Sequence, residues 1–166
     1  MDINKFWQIV EAARDAAGAD GDARVGALRE RLSALPPAEL QDFQDHYDLL
    51  HDRAYRWDLW AAAYIMNGGC SDDGFHYFRD WLISEGRQTY EAALRDPESL
   101  ADLGRVEMVQ NESYGYVASE LFDEAGAGEI ELGRLVPEGS SEPAGERWDE
   151  DAVNSIYPRL AAKYTW

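Results

Sequence analysis

Residues 59 to 66 read LWAAAYIM, an octet without a charge, and Asn67-Gly68-Gly69 follows it directly. Wound at 3.6 residues per turn, the octet has no polar face. A helix that is apolar all round is stable in water only when other elements cover it. Eight residues are far too few to cross a bilayer, which takes about 20. The segment is therefore expected to be the central helix of a folded domain, spanning about residues 58–67. A glycine in the left-handed conformation is expected to end it.

The rest of the chain reads as helices that could supply that cover. Asp2 or Asn4 can cap a first helix carrying Phe6, Ile9, Val10 and Ala13 at helical spacing. Gly18 and Gly21 break it, and a second helix follows from about Ala23 to Leu32. "LPPAEL" restarts the chain, since proline is tolerated in a first helical turn. Leu40, Phe43, Tyr47, Leu50 and Ala54 then form one apolar stripe. Ser71 can cap the next helix, with Asp72 and Asp73 at the positive end of its dipole. Phe75, Phe78, Trp81 and Leu82 of that helix point inward, and Gly86 bends or ends it before "RQTYEAALRD". Short helices are expected at "ESLADL" and over Tyr114–Ala125. The weak alternation of "EIELGRLV" is too little to build a sheet on. "WDEDAVNSIYPRLAAKYTW" reads as a closing helix that Pro158 kinks or divides. The expectation is an all-α fold, a compact multi-helix domain around the buried central helix. It forms a single domain over residues 1–166: a core of about 1–126, an acidic loop of about 127–148 and a closing helix of about 149–164.

Charge limits what such a domain can bind. The net charge is −18 on 166 residues, which repels nucleic-acid phosphates and anionic membranes. From Glu107 to Asp151 thirteen acids face two arginines, a net of −11, so the excess gathers in a loop-rich C-terminal third. Acidic stretches with Gly, Ser and Pro, such as "PEGSSEPAGERWDED", are usually solvated loops. The single cysteine cannot form an internal disulfide, and the N-terminal residues read as an amphipathic helix instead of a signal peptide. A cytoplasmic location is expected, with no direct nucleic-acid binding and no membrane association.

The run "YRWDLWAAAYIMNGGCSDDGFHYFRDWLISEGRQTYEAAL" resembles the bacterial domain-of-unknown-function family numbered 4240. "FWQIVEAAR" near the start and "WDEDAVNSIYPRLAAKYTW" at the end are similar to that family's ends, so the resemblance extends over essentially the whole chain. It implies a small helical cytoplasmic protein with no assigned reaction and no assigned catalytic residues.

The residues themselves offer binding candidates. Asp58, flanked by Trp57 and Trp60, is either a cap or buried ion pair with Arg53, Arg56 or Arg79, or a general base or ligand anchor in an aromatic-walled pocket. Asp72, His76 and Asp80 recur every four residues within a roughly 80° arc of one helix. Carboxylate and imidazole at that spacing can share a metal. The arc points away from Phe75, Phe78 and Leu82, however, so a solvated face is the simpler reading. Cys70 near a helix N-terminus could have a lowered thiol pKa, but a small residue filling a tight turn accounts for it better. The histidine pairs Asp42–His46 and Asp48–His51 do not amount to a metal phosphohydrolase signature. Arg79 or Arg87 could rim an aromatic-lined cleft for a small planar or anionic ligand. The binding candidates are thus Asp58, Trp57, Trp60, Asp72, Asp73, His76 and Arg79, with no catalytic residue, metal site or cofactor assigned.

No constellation joins nucleophile, base and orienting group. The expected function is a non-catalytic binding or regulatory module with a protein or small-molecule partner. A hydrolase with its site near Asp58 and the 67–76 turn is the first alternative. An acidic decoy for a nucleic-acid-binding protein is the second.

Overall fold

A computed structural model describes every residue except Met108, Ser140 and Trp166. Among the described residues the chain forms nine α-helices and no strand: α1 (Ile3–Ala17), α2 (Gly21–Leu32), α3 (Pro37–Arg53), α4 (Trp57–Asn67), α5 (Asp72–Ser84), α6 (Arg87–Arg95), α7 (Val117–Glu124), α8 (Val153–Ile156) and α9 (Pro158–Lys163). Two 3₁₀ helices, Pro97–Asp102 and Glu112–Tyr116, join the set. The fold is all-α.

The octet lies in α4, and no residue of that helix is exposed. Leu59, Ala61, Ala62, Ala63, Ile65 and Met66 are buried. The three alanines give α4 a narrow waist, and α5, α8, α9 and the Pro97–Asp102 helix all pack on it. Gly68 ends α4 at φ 66° and ψ 38°, where a Cβ would be strained, and Gly69 N–H donates to the Tyr64 carbonyl at 2.8 Å. The chain then turns straight into α5. Ser71 Oγ accepts from Gly74 N–H at 3.1 Å, the expected cap. Trp60 clamps the turn by donating its indole N–H to the Cys70 carbonyl at 2.9 Å.

α5 is the second axis of the domain. Phe75, Phe78, Leu82 and Ile83 are fully buried on it, against α1, α3 and α4. α1 and α2 form an antiparallel pair, as their short link at residues 18–20 requires. Asp2 caps α1 and Asp20 caps α2, so α2 begins at Gly21, two residues before the position expected from its apolar face. Arg24 of α2 is buried and paired with Glu85 at 2.7 Å, with Ser84 Oγ and the Gly18 carbonyl taking its other hydrogens. That pairing ties α2 to the end of α5 without leaving a buried charge alone.

The acidic segment after α7 is held down more firmly than a solvated loop. Gln41 of α3 grips the Glu131 backbone from both sides, donating to its carbonyl at 2.8 Å and accepting from its N–H at 2.9 Å. Gly133 N–H donates to Asp48 at 2.7 Å, and Arg134 forks onto the buried Asp45 carboxylate at 2.9 and 2.7 Å. "EIELGRLV" is thus a turn pinned across α3. Farther on, Ala144 exchanges backbone hydrogen bonds with Tyr55 and Trp57, and Trp148 donates to the Trp57 carbonyl. The closing helix is shorter than expected. Asp149 accepts from Asp151 N–H, a local turn that competes with helix, so α8 starts only at Val153 and Pro158 opens α9.

Two outcomes follow from this packing. Ala62→Leu should destabilise the protein by about 1–3 kcal/mol, because no space surrounds the waist of α4. Urea unfolding should show a lower midpoint at unchanged slope; an unshifted midpoint would mean that α4 has room. Burial pushes the Asp45 carboxyl up, but Arg134 and Gln41 more than offset it and hold it below the ordinary carboxylate range. A depressed folded value contributes stability above the unfolded value of about 4, and that stability is lost as pH falls through the folded value. Arg134→Ala should therefore destabilise at neutral pH, with the difference from the wild-type chain shrinking in acid. A difference independent of pH would show that Arg134 acts through packing alone.

Candidate functional site

Where α3 and α5 cross, two pairs of side chains at i, i+4 spacing meet: Tyr47 and His51 on α3, His76 and Asp80 on α5. Such spacing stacks two groups on one helix face, and the crossing brings the two faces together. The Tyr47 hydroxyl donates to Asp80 Oδ1. His51 Nε2 lies 3.2 Å from the same oxygen and 3.2 Å from the His76 carbonyl. His76 Nε2 stands 3.8 Å from Asp80 Oδ2, too far for a hydrogen bond. Gly115, in the Glu112–Tyr116 helix, closes the remaining side: a Cβ there would come within 3.0 Å of Asp80 Oδ1 and 3.4 Å of the Tyr47 hydroxyl.

Asp80 is 1% exposed, yet its Oδ2 has no hydrogen-bond partner. An unpartnered buried carboxylate oxygen costs free energy, so this atom marks a place where the fold leaves polar capacity unused. Burial pushes the Tyr47 hydroxyl well up, and the Asp80 charge adds to it, so Tyr47 remains a protonated donor.

Arg79 sets the state of His51. Its Nη1 lies 3.1 Å from His51 Nδ1 and 3.1 Å from the His51 carbonyl, while the guanidinium stacks over Tyr55 at 4.6 Å and Phe75 at 5.0 Å. Guanidinium can only donate, so Nδ1 is the acceptor and the ring proton sits on Nε2, where the His76 carbonyl accepts it. Burial pulls Arg79 itself down to about 10, still a cation at neutral pH. His76 is about half exposed, and its own burial, with His51 and Arg79 nearby, lowers its pKa against the opposing pull of Asp80 and Asp73.

Three clefts meet at His76. The innermost, of about 140 Å³, reaches Tyr47, His51 and Asp80 beneath Tyr116 and Leu132. One of about 430 Å³ opens toward Asp72, Asp73 and Tyr55, and one of about 480 Å³ toward Asp48, Asp52 and the pinned turn at Gly133. Four carboxylates thus ring the opening, with Arg79 the one cation among the residues lining these three clefts. One metal-ligating atom from each of His51, His76 and Asp80 lies within 4.8 Å of the others.

The sequence candidates separate into two groups on opposite sides of Phe75. Asp72, Asp73, His76 and Arg79 surround the clefts just described. Trp57 and Trp60 stack at 5.1 Å, and Trp60 stacks on Phe75 at 4.9 Å. They border a separate groove of about 110 Å³ with Cys70 and Trp148. Asp58 is a capped ion pair: Arg56 forks onto its carboxylate and Leu59 N–H donates to Oδ1 at 2.8 Å. Cys70 is no activated thiol, because burial pushes it up to about 12. The arc Asp72–His76–Asp80 is not one solvated face. It runs from an exposed Asp72 to a buried Asp80, because α3 and the Glu112–Tyr116 helix cover its far end. Tyr47, His51 and Gly115 were not identified as partners of this site, and nothing in local spacing joins α3 to α5. A further hollow of about 420 Å³ lies beside Trp81, with Arg24 committed to Glu85 and Asn111 to the Gly21 carbonyl.

A family model described as "Protein of unknown function (DUF4240)" matches residues 1–124, so the chain belongs to that family. The matched span holds Tyr47, His51, His76, Arg79, Asp80 and Gly115, and it stops short of the pinned turn and the C-terminal helices. No curated protein and no solved structure matches the chain.

The lowered His76 value has a readable sign. The native state resists protonation of that ring, so stability is full above the unfolded value of about 6.5 and declines as pH falls below it. An NMR titration of the three imidazoles should place the His76 midpoint below 6.5, and His76→Gln should flatten that part of the stability profile. A midpoint above 6.5 would mean that Asp80 outweighs burial at this ring.

Proposed function

Starting from a family whose description assigns no activity, we propose that this protein is a non-catalytic binding module of the cytoplasm, and that its ligand occupies the clefts around His76. The observation that carries this reading is Asp80 Oδ2, a buried carboxylate oxygen without a partner beside an imidazole that opens to solvent. Fold and stability gain nothing from leaving such an atom unsatisfied, whereas a ligand that donates to it, or binds it as a cation, removes the cost.

The electrostatics favour a positively charged ligand. Asp48, Asp52, Asp72 and Asp73 border the clefts, and the one guanidinium is occupied by His51 and two aromatic rings. A phosphate or nucleic-acid ligand would meet those carboxylates within a chain of net charge −18. Among the described residues no helix is long and apolar enough to cross a membrane, and a single free cysteine suits a reducing compartment.

Support for a binding role over an enzymatic one comes from the chemistry at hand. Among the described residues around the clefts, Tyr47 is the hydroxyl closest to Asp80, and it is pushed away from ionisation. The Cys70 thiol lies in the other groove and is equally inactive. Asp58 spends its carboxylate on Arg56 and the α4 backbone, which removes the base that a hydrolase there would use.

A thermal-shift panel tests the reading: divalent metal ions, amines, guanidines and amino acids, with nucleotides and sugar phosphates as anionic counterparts. A native-state ligand at a hundredfold its dissociation constant stabilises by about 2.7 kcal/mol. Hits are expected among the cations and are expected to vanish in His76→Gln. Hits confined to anions, or cation hits indifferent to His76→Gln, would overturn the assignment of the site.

A further inference from the structure

Resting on that reading of the clefts, we propose that the occupant is a first-row divalent transition-metal ion bound directly by His76 Nε2 and Asp80 Oδ2. The two groups are one turn apart on α5, so the helix itself sets the chelate and no loop has to be ordered. Their ligand atoms are 3.8 Å apart. Bonds of about 2.0–2.2 Å from a zinc-class ion to imidazole nitrogen and carboxylate oxygen span that gap without backbone movement. Each atom has what the bond needs. Asp80 Oδ2 has no hydrogen-bond partner, and His76 is half exposed, with its ring edge open to the ion. An imidazole in the donor set selects zinc, nickel, cobalt or copper over magnesium and calcium, which prefer all-oxygen sites.

His51 and Tyr47 serve as orienting groups. The Tyr47 hydroxyl donates to Asp80 Oδ1, and His51 Nε2, bonded to the His76 carbonyl, stands 3.2 Å from the same oxygen, which leaves Oδ2 turned to His76. Metal-bound carboxylates are commonly hydrogen-bonded in this way through their second oxygen. Binding of His51 Nε2 itself would require its proton to move to Nδ1, directly against Arg79. The protein therefore offers two ligands, and water completes the coordination from the cleft side. Asp72 and Asp73, on the first turn of the same helix, raise the local cation concentration at the entrance.

The test is a zinc titration of the full chain, followed by calorimetry and by NMR of the imidazole nitrogens. The chain has three histidines, so the spectrum assigns the site: Nε2 of His76 should move on binding, His51 should keep its proton on Nε2, and His46 should not respond. His76→Gln should weaken binding by about tenfold or more while circular dichroism remains that of the wild-type chain. Asp80→Asn should do the same, and if that variant fails to fold, His76→Gln and the spectra decide alone. The proposal falls if millimolar zinc does not bind, if magnesium or calcium binds as tightly, if His46 is the ring that responds, or if His76→Gln leaves the affinity unchanged. The broader reading of the clefts has a separate fate. It survives a zinc failure when an organic cation from the thermal-shift panel still loses its effect in His76→Gln, and it falls with the metal when no cation depends on that residue.

Discussion

A helix without a polar face cannot end at a surface, and α4 imposes that condition on everything around it. Its alanines keep it thin, so neighbours can approach closely, and its large residues fill the ends: Trp57 and Trp60 at one, Tyr64, Ile65 and Met66 at the other. The chain must return repeatedly to cover it, which it does with α5, α8, α9 and the Pro97–Asp102 helix. The Gly68-Gly69 turn makes α5 the first of these, and the Trp60 indole locks the turn from inside. Phe75, stacked on Trp60, then carries the aromatic packing from α4 through to Arg79 and Tyr55.

That arrangement explains why the chemistry sits where it does. With one face of α5 committed to α4 and α1, its polar residues face α3 and the Glu112–Tyr116 helix. α3 answers with Tyr47 and His51, and the result is a polar seam at the edge of an apolar core. Most of the seam is satisfied internally. Tyr47, His51 and Arg79 each have fixed partners, and Arg79 decides which His51 nitrogen holds the proton. Asp80 Oδ2 has no hydrogen-bond partner and lies 3.8 Å from His76 Nε2, while the Tyr114 hydroxyl beside Tyr47 is also unpartnered.

Sequence periodicity was a good guide to the elements and a poor one to the seam. The cap at Ser71, the stop at Gly68 and the stripe of Phe43, Tyr47 and Leu50 all depend on residues within a turn or two of one another, so they can be read from spacing. The position of Asp80 depends on α3, which lies some thirty residues earlier. The same limit applies to His51 and to Gly115, whose missing side chain matters only because Asp80 approaches it. Spacing places Asp72, His76 and Asp80 on one arc, but it cannot show that another helix covers one end of that arc and leaves the other in water. The pinned turn is a second case: its composition is that of a solvated loop, and its anchors Gln41, Asp45 and Asp48 look like ordinary surface residues of α3 until Arg134 arrives. Asp58 shows the converse. Its neighbour Arg56 is two residues away, and the paired reading was legible because the partner was local.

The state of His51 determines what the seam can accept. If its proton were on Nδ1, Nε2 would present a lone pair to Asp80, and the two would repel until an ion or proton came between them. With Arg79 bonded to Nδ1, the ring instead donates to the His76 carbonyl, and Tyr47 holds Asp80 Oδ1 with the other carboxylate oxygen left free. Arg79 thereby converts a three-ligand cluster into an oriented pair and contributes its own positive charge at a distance from the free oxygen, buffered by two aromatic faces. An anion gains little from a cation so placed, and the surrounding carboxylates repel it. A small cation meets an unpaired oxygen, a neutral imidazole and an acidic approach, so the polarity of the site follows from the arginine that appears at first to oppose it.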